Sequence, residues 1–459
     1  MSRVSSPSQS PSDLELPLSG MNWFDRFACR QVRDRLSQLS RGTIRFARGS
    51  DVLMSCEQQP SGDNLEATIY VHRPSFFRSV MLGGTLSAAE SYLQGDWDCD
   101  NLTTLFRIFA RNLDTASRMD RGLAALTGVT HRLYHWLHSN TPAGSRKNIG
   151  AHYDLGNDFF RLWLDDSMAY SSAIFPGPES TLLEGSQEKF DRVCRKLDLQ
   201  PTDHLLEIGT GWGGLAVHAA KHYGCRVTTT TISRQQAEIA AERIQESGVA
   251  DRVTLLREDY RELTGKYDKL VSIEMIEAVG HRFMDEYLGK CSDLLKPEGT
   301  ALLQAIVMPE QRFEQYLRSV DFIQRYIFPG GCLPSIASVL DASGRSTDFR
   351  LVHAEDFAPH YAATLRHWKE GFESQKDSIL KLGYSEQFVR LWRYYLCYCE
   401  AVFEERQVGV VHLQFDKPLT KRDPINLSAM ASRPQSTGLS SLSSDMLRNS
   451  ASSEKQDSR

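Results

Sequence analysis

A glycine-rich turn separates an apolar segment from a predicted helix in the middle of the chain. Residues 204–208 read His-Leu-Leu-Glu-Ile, and Gly209, Gly211 and Gly213 follow before a helix that we expect to begin near Leu215. Glycine tolerates positive φ and lets the backbone approach a ligand, while a helix start presents free N–H groups. The G-x-G-x-G spacing is tighter than the dinucleotide fingerprint, and no phosphate-binding lysine follows it. The turn therefore favours an adenosyl group with an amino-acid tail over a pyrophosphate or triphosphate.

Cysteine and histidine residues form no recognisable metal-binding pattern. The nine cysteines include no C-x-x-C pair, and His152, His281, His353 and His360 lack carboxylate partners at helical spacing. No apolar run near the N-terminus has the length of a signal peptide or membrane span. We therefore expect no metal, reduced thiols and a cytoplasmic location.

The net charge of -5 argues against general nucleic-acid binding. One basic cluster stands out near the N-terminus: Arg30, Arg33, Arg35, Arg41 and Arg45. Its pattern favours a solvated helix face, and contact with an anionic membrane surface is the alternative.

Strand-like and helical patterns alternate after about residue 150. Strands are expected at 205–208, 226–231, 253–257, 269–273 and 301–307, and helices at 215–222, 234–247 and 283–295. Helical insertions at 310–345, long helices at 360–381 and 386–406 and a closing strand at 408–415 follow. This alternation predicts an α/β fold with a doubly wound, Rossmann-like parallel sheet. The ligand should lie at the carboxyl ends of the first strands, where the glycine turn is found.

The N-terminal part has a different pattern. Short strand-like segments at 43–47 and 67–71 precede helices expected at 74–81 and 86–93, which indicates a small α+β module. Pro142 and Gly144 indicate a linker, and both ends are rich in polar residues. The predicted organisation is a disordered tail at 1–17, an α+β domain at 18–138, a linker at 139–150, a Rossmann-like domain at 151–418 and a disordered Ser-rich tail at 419–459.

Aromatic residues are frequent in the two long C-terminal helices. They are Trp368, Phe372, Trp392, Tyr394, Tyr395, Tyr398 and Phe403. We expect most of them to pack in the core and a minority to line a tunnel for an apolar substrate.

Several motifs, in order, resemble those of the cyclopropane-fatty-acyl-phospholipid synthases. They are His-Tyr-Asp-Leu-Gly-Asn-Asp-Phe-Phe at 152–160, Tyr-Ser-Ser-Ala at 170–173, the glycine turn, Thr-Ile-Ser at 231–233 and Tyr-Ile-Phe-Pro-Gly-Gly at 326–331. The resemblance covers about residues 20–418, and segment 88–97 is similar to the family's N-terminal lipid-binding module. It implies an enzyme that uses S-adenosylmethionine.

The resemblance also implies a set of cofactor-binding residues. They are Tyr170, Ser171, Glu207, Gly209, Gly211, Gly213, Thr231, Ile232, Ser233, Gln236, Tyr260 and Arg261. Many nucleoside sites hold the ribose hydroxyls with a carboxylate after the second strand. Thr230 and Thr231 occupy that place here, so Gln236 or Ser233 would take this role.

In the resembled family, the π electrons of a cis alkene in an acyl chain attack the sulfonium methyl, and loss of a proton closes a cyclopropane ring. Tyr170, Trp212 and Tyr361 are candidates for stabilising the intermediate cation. A bicarbonate ion is thought to be the base, held by groups that match Ser172, Glu277, Gln304, the backbone of Ile306 and Tyr361. Many members have cysteine and histidine in place of Ser172 and Gln304. The missing histidine weakens the case for ring closure more than that for methyl transfer.

Two further residues have competing interpretations. Cys399 matches a cysteine that has been assigned as catalytic in the family, but the sequence favours a buried, unreactive thiol, because the reaction needs no nucleophile. Glu274 would share a face with Glu277 if the segment were helical. We expect Glu274 to be a structural surface carboxylate.

The resulting hypothesis is a cyclopropane synthase that acts on unsaturated acyl chains of membrane phospholipids from the inner face of the membrane. The alternatives are an alkene methyltransferase that yields a methyl or methylene branch, a non-catalytic lipid-binding protein, and a small-molecule or sterol methyltransferase. Transient peripheral membrane contact is expected, and base rates suggest a homodimer.

Overall fold

The computed structural model describes residues 21–49, 51–56, 65–113 and 156–421. The predicted tail at 1–17, the linker at 139–150 and residues 152–155 of the first motif lie outside these ranges. Residues 422–459 of the second predicted tail also lie outside them. The domain boundaries given above therefore stay predictions.

A four-stranded sheet lies in the N-terminal part. Its strands are β1 (Thr43–Arg48), β2 (Asp51–Cys56), β3 (Glu66–Val71) and β4 (Trp97–Cys99), in the order β2-β1-β3-β4. The helices of this part are α1 (Trp23–Leu36), α2 (Ser75–Leu93) and α3 (Leu102–Arg111). The two helices predicted for residues 74–81 and 86–93 are confirmed as the two halves of α2, which are separated by a kink at Gly84, where φ is 62°. Strand β4 was missed because it has only three residues, and β2 was missed because Val52, Leu53 and Met54 are consecutive and do not alternate with polar residues.

A seven-stranded sheet forms the larger part of the molecule. Its strands are β5 (His204–Ile208), β6 (Arg226–Thr230), β7 (Val253–Leu256), β8 (Tyr267–Ile273), β9 (Leu295–Val307), β10 (Arg350–Asp356) and β11 (Gly409–Asp416). Their order is β10-β11-β9-β8-β5-β6-β7. Strands β5 to β9 pair in parallel, and β11 lies antiparallel between β9 and β10. This is the α/β fold class that the alternating pattern predicts.

Helices cover this sheet and extend beyond it. They are α4 (Asn157–Arg161), α5 (Leu182–Leu197), α6 (Gly214–Tyr223), α7 (Arg234–Glu246), α8 (Ile276–Val279), α9 (Met284–Leu294), α10 (Glu310–Tyr316), α11 (Phe322–Tyr326), α12 (Ile336–Ser346), α13 (Ala358–Ser374), α14 (Lys376–Lys381) and α15 (Glu386–Glu404). The long helix predicted at 360–381 is wrong, because the chain leaves helical geometry at Gln375 and continues as α14.

Two features of the large sheet depart from the sequence prediction. Strand β10 was missed because it is an edge strand whose side chains are mostly exposed, so it lacks apolar alternation. Strand β9 begins at Leu295 rather than 301 and contains the Pro-Glu-Gly segment that was predicted to precede it. A Cβ added at Gly299 would lie 3.0 Å from the carbonyl oxygen of Asp268. Glycine at that position therefore permits the close approach of β8 to β9.

The N-terminal helices pack directly on α15. Arg390 donates to the carbonyl oxygens of Tyr92 (2.7 Å) and Trp97 (2.8 Å), and the Thr103 hydroxyl donates to Oε2 of Glu400 at 2.7 Å. One hydrophobic cluster accordingly includes buried side chains of both parts. Within the four described ranges, no helix combines the length and apolarity needed to span a bilayer.

Candidate active site

A cavity of about 750 Å³ connects the large sheet with the N-terminal part. The glycine turn lines it, and so do apolar side chains from the N-terminal elements: Phe46, Phe76, Val80, Trp97 and Phe106. Its volume lies within the usual range for ligand sites. One cavity can therefore accommodate a polar cofactor and part of a long apolar substrate.

The glycine turn follows β5, as the sequence predicts. Gly209, Gly211 and Gly213 have φ values of 105°, 52° and 86°, which L side chains rarely adopt. Gly213 is the N-cap of α6 and has no side chain to bond the helix N–H groups. An N-terminus without a side-chain cap offers donors to a ligand, so the turn fits the carboxylate tail of S-adenosylmethionine.

Two ionisable residues, the acidic Glu207 and the basic Lys189, are buried behind the turn. Glu207 is 2 % exposed and accepts a hydrogen bond of 2.6 Å from the Thr229 hydroxyl, and burial raises its pKa to about 8. Lys189 donates to the Ser171 hydroxyl at 2.8 Å, and burial lowers its pKa to about 8. The sequence analysis missed Lys189, although a lysine on the apolar face of a helix could have indicated it. The structure brings Glu207, Ser171 and Lys189 to the cavity wall.

The expected ribose-binding residues lie together at the carboxyl end of β6. The Thr231 hydroxyl and Oε1 of Gln236 are 2.9 Å apart, and Ser233 caps α7 by accepting from the backbone N–H of Gln236. Thr231, Ile232 and Gln236 line the cavity, whereas Ser233 contributes through the cap. Ser233 is therefore better suited to positioning Gln236 than to contacting a ligand.

The segment after β7 supplies another wall of the cavity. Tyr260 and Arg261 line it, and the guanidinium of Arg261 lies 4.7 Å from the Tyr260 ring centre and bonds Asp259 at 3.0 Å. Asp259 also lines the cavity and is almost completely buried. The sequence analysis did not single out this carboxylate, although it directly precedes the predicted pair.

Aromatic rings form much of the apolar wall. Tyr170 and Tyr395 hydroxyls are 3.0 Å apart, and the Tyr361 and Phe403 ring centres are 4.3 Å apart. Four of the seven C-terminal aromatics line the cavity, namely Tyr394, Tyr395, Tyr398 and Phe403. All seven belong to the hydrophobic cluster, so the prediction of core packing is confirmed, whereas more than the expected minority also line the cavity. Trp212 also lines the cavity, and its indole N–H donates to Oδ1 of Asn157 at 2.8 Å.

Glu274 lies at the centre of a hydrogen-bond cluster. Its Oε1 accepts from the backbone N–H of Ser172 (2.9 Å) and from Nε2 of Gln304 (2.7 Å), and its Oε2 accepts from the Tyr361 hydroxyl at 2.7 Å. Burial raises the pKa of Glu274, while these bonds oppose the shift. The expectation of a surface carboxylate is therefore wrong. Glu274 follows the last residue of β8, and its position at a strand end could have identified it.

Glu277 lies on α8 and lines the same cavity. Its Oε1 accepts from the backbone N–H of Ile306 at 2.6 Å, and its Oε2 is buried with no hydrogen-bond partner in the described part of the chain. Burial and the neighbouring charge of Glu274 raise the pKa of Glu277 to about 8. Glu274 precedes α8 at φ 48°, so the two carboxylates are not on one helix face as expected.

The groups expected to hold bicarbonate are already bonded. Ser172, Gln304 and Tyr361 donate to Glu274, and the backbone of Ile306 donates to Glu277. The Ser172 hydroxyl itself donates to the carbonyl oxygen of Ala173 at 3.0 Å. Apart from the second amide N–H of Gln304, a further anion would find no unused donor in this set, and it would lie beside two carboxyl groups. The site does not fit bicarbonate.

A histidine that the sequence analysis missed lies behind Gln304. His412 on β11 is fully buried, with Nε2 2.9 Å from Oε1 of Gln304 and Nδ1 3.0 Å from Nζ of Lys196. An ammonium group only donates, so Nδ1 accepts and the proton is on Nε2. His412 then donates to Gln304, which turns the amide N–H groups toward Glu274. A histidine that follows two valines in a predicted strand was the available sequence signal.

Cys399 lines the cavity from α15 among aromatic residues. Burial raises the pKa of its thiol, and no positively charged group is among the causes of the shift. A thiol in such surroundings remains protonated and is a poor nucleophile. The geometry supports the unreactive interpretation of Cys399.

Comparisons with known proteins agree with this geometry. The family described as mycolic acid cyclopropane synthetase matches residues 140–413. The tuberculostearic acid methyltransferase of Mycobacterium tuberculosis is 37% identical over 369 residues, covering 76% of this chain and 83% of that protein. The cyclopropane-fatty-acyl-phospholipid synthase of Escherichia coli is 34% identical over 364 residues, covering 76% of this chain and 88% of that protein.

Solved structures give the same indication. A mycolic acid cyclopropane synthase complexed with SAH and CTAB superposes with a TM-score of 0.56 at 31% identity, covering 59% of this chain and 98% of that one. A cyclopropane synthase from Mycobacterium tuberculosis gives the same TM-score at 30% identity, with the same shares of each chain.

Proposed function

This chain belongs to the mycolic acid cyclopropane synthetase family and is an S-adenosylmethionine-dependent methyltransferase, and we propose that it methylates a cis double bond of an unsaturated phospholipid acyl chain and closes a cyclopropane ring. The observation that carries the proposal is the single cavity that joins the glycine turn, two buried carboxyl groups and a long apolar wall. S-adenosylmethionine, when bound, supplies a methyl group that its sulfonium charge makes electrophilic.

The chain's own residues would hold the cofactor in three places. The N–H groups at the start of α6 would bind the amino-acid tail. Gln236, which is positioned by Thr231 and Ser233, would hydrogen-bond to the ribose hydroxyls. The stacked side chains of Tyr260 and Arg261 form the surface for the adenine. Lys189 and Glu207 lie behind the turn and fix the Ser171 and Thr229 hydroxyls.

The remaining residues would stabilise positive charge. Methyl transfer to the alkene would leave positive charge on a carbon of the acyl chain. The rings of Tyr170 and Tyr361 favour such a cation, and the enclosed cavity protects it from water. The unpartnered Oε2 of Glu277 adds negative charge once that carboxyl group ionises.

A second product is favoured by one specific observation. Gln304 replaces the expected histidine and cannot itself accept a proton, so the alternative is loss of a proton by a route that does not close the ring. Loss of a chain proton leaves a methyl-branched, unsaturated acyl chain. A methylene branch results if a hydride first shifts to the cationic carbon and the new methyl group then loses the proton. The M. tuberculosis relative named a tuberculostearic acid methyltransferase supports this alternative.

Peripheral membrane contact would bring the acyl chain to the cavity. Trp23 and Phe27 on α1 are 79% and 47% exposed, and Arg26 and Arg30 share their face at helical spacing. An apolar stripe flanked by arginines suits an anionic lipid surface. By contrast, Arg33 and Arg45 of the predicted basic cluster form ion pairs with acidic side chains. We propose α1 as the docking element, and a homodimer stays a prediction.

Incubation with vesicles of cis-unsaturated phospholipid and methyl-labelled S-adenosylmethionine tests the proposed function. Mass spectrometry and proton NMR of the released fatty acids identify the product. Upfield cyclopropane protons are expected, whereas a labelled branch would select the second product. Absence of label in the lipid, with cofactor binding intact, would contradict both.

A further inference from the structure

The carboxylate of Glu274 has the hydrogen-bond partners of a bound anion. Three donors from three separate parts of the chain converge on it: the Ser172 backbone, the Gln304 amide and the Tyr361 hydroxyl. Ser172 precedes α5, Gln304 lies on β9 and Tyr361 lies on α13. These are the positions at which the family resemblance predicts contacts to bicarbonate. The structure has a side-chain carboxylate there instead.

The backbone at Glu274 has a conformation that brings its side chain to this point. Its φ of 48° is in the left-handed region, which is uncommon for a residue other than glycine, asparagine or aspartate. Such a conformation costs about 1 kcal/mol or more for an L-residue. Strain of this kind persists where surrounding contacts over-determine it, and here three side-chain hydrogen bonds do so.

The groups behind Gln304 fix its orientation. Lys196 donates to His412, and His412 donates to Oε1 of Gln304, so the amide can present only N–H to Glu274. Lys196 is itself ion-paired with Glu355. The chain ends at Glu274, and all three hydrogen bonds at this carboxyl group are donated to it, which favours an ionised carboxylate over a neutral acid.

We propose that Glu274 is the resident proton acceptor of this enzyme and replaces a diffusible bicarbonate ion. The inference rests on the proposed function, because it assigns the base of that reaction. Glu274 lines the cavity in which the acyl cation would form. Its carboxylate takes a proton either from the new methyl group, which is bonded to the carbon next to the cationic centre, or from a chain carbon adjacent to that centre. The C–H electron pair then closes the ring if the hydrogen came from the new methyl group, or forms a double bond if it came from the chain. The protonated Glu274 releases its proton to water after the product leaves.

Three variants test this assignment through turnover in bicarbonate-free and bicarbonate-containing buffers. We expect wild-type turnover to change less than about twofold between the buffers, and Glu274→Gln to lower it by about 100-fold or more in both. Glu274→Gly removes the carboxylate at a positive φ that glycine adopts readily, so added bicarbonate should restore part of its activity. Glu274→Asp serves as the conservative variant and should keep more activity than Glu274→Gln. Binding of S-adenosylhomocysteine by each variant shows that the fold is intact.

A second readout does not require methyl transfer. The NMR signal of 13C-bicarbonate is followed with each protein saturated with S-adenosylhomocysteine. Broadening or a shift is expected with Glu274→Gly and not with wild type or Glu274→Gln. Binding of bicarbonate by wild type, or full turnover of a folded Glu274→Gln, would overturn the proposal. If wild type labels no lipid, the proposed function fails, and the NMR measurement still decides whether Glu274 occupies the anion position.

Discussion

At the scale of single residues, burial determines the charge state of the groups in the site. Glu207 and Glu277 both have pKa values raised to about 8 by burial, and Lys189 has one lowered to about 8. Each shift disfavours the charged form, as transfer from water to a low-dielectric surrounding requires. Glu277 differs from Glu274 because only one of its oxygens is hydrogen-bonded. The two carboxyl groups therefore have separate tasks.

Glu277→Gln should reduce methyl transfer to lipid by about 100-fold, or about 3 kcal/mol of transition-state stabilisation. The amide keeps the contact with Ile306 but cannot become negative when the acyl cation forms. Affinity for S-adenosylmethionine, measured by calorimetry, should change little, because Glu277 does not contact the glycine turn. Glu314→Gln, at a carboxylate that is 75% exposed, is the matched control. A larger loss of cofactor affinity than of rate would contradict the role of Glu277.

The raised pKa of Glu277 also predicts the pH dependence of stability. The folded protein keeps a proton on Glu277 up to about pH 8, whereas the unfolded chain loses it near the ordinary pKa of about 4.3. The contribution of Glu277 to the free energy of unfolding is therefore complete below the pKa of the unfolded chain. Above that pH it falls by about 1.4 kcal/mol per pH unit, up to about pH 8. Glu207 adds a similar slope. Urea unfolding at pH 5.5 to 7.5, within this window, should give a slope lower by this amount in Glu277→Gln. An unchanged slope would show that Glu277 is ionised in the folded protein.

At the scale of elements, the parallel strands place the chemistry. The glycine turn follows β5, Thr231 follows β6, and Glu274 follows β8, so residues far apart in sequence meet at one edge of the sheet. Glu277 and Ile306 come from the next helix and the next strand. The antiparallel strand β11 adds His412 beside Gln304 on β9. Sheet order is thus the reason that these residues share a cavity.

Gly211→Val should abolish cofactor binding and lower stability only moderately. A Cβ at Gly211 would meet no atom within 4 Å, so the new side chain would project from the turn that lines the cavity. Its positive φ alone should cost about 1–2 kcal/mol. Gly248→Val is a matched control, because Gly248 also has positive φ and open space but does not line the cavity. Thermal unfolding and calorimetry should show similar destabilisation in both variants and lost binding only in Gly211→Val. Equal loss of binding would indicate a purely structural turn.

At the scale of the whole molecule, helix α15 joins the two sheets. It receives contacts from α2 and α3 on one side, and it lines the cavity with Tyr395 and Cys399 on the other. The apolar wall therefore continues from the cofactor turn to residues of the four-stranded part. Helix α1, in that same part, presents its exposed aromatic face. One folded unit can therefore bind a lipid at its surface and a cofactor at the glycine turn.

The double variant Trp23→Ser and Phe27→Ser should weaken binding to anionic vesicles by at least about tenfold, because each side chain gains about 1.5–3 kcal/mol when fully buried. Vesicle co-sedimentation at fixed salt measures the effect. Turnover on detergent-dispersed substrate should fall much less. The double variant Leu382→Ser and Leu419→Ser removes two other exposed apolar side chains and serves as the control. Equal weakening by both double variants would exclude α1 as the specific docking element.

Much of the architecture could be predicted from local patterns. The strands β5 to β8 and the helices α6, α7 and α9 were placed within a few residues of their observed ends, because apolar periodicity and glycine or proline boundaries mark them clearly. The edge strand β10 escaped prediction because exposed edge residues need no apolar alternation. The break between α13 and α14 escaped because Gln375 gives no strong helix-stop signal.

The sequence by itself determined the α/β fold, the glycine turn and the family, since these depend on local backbone preferences and on motifs read in order. Through the resemblance, it also identified Glu277, Tyr361, Gln304 and Ile306 as candidate site residues. Only the tertiary structure decided that Glu274 occupies the anion position and that His412 and Lys196 orient Gln304. Such contacts depend on which strands are neighbours in the sheet and on which donors surround a buried side chain. Some of these residues are more than 100 positions apart in sequence, so no local pattern indicates that they are in contact.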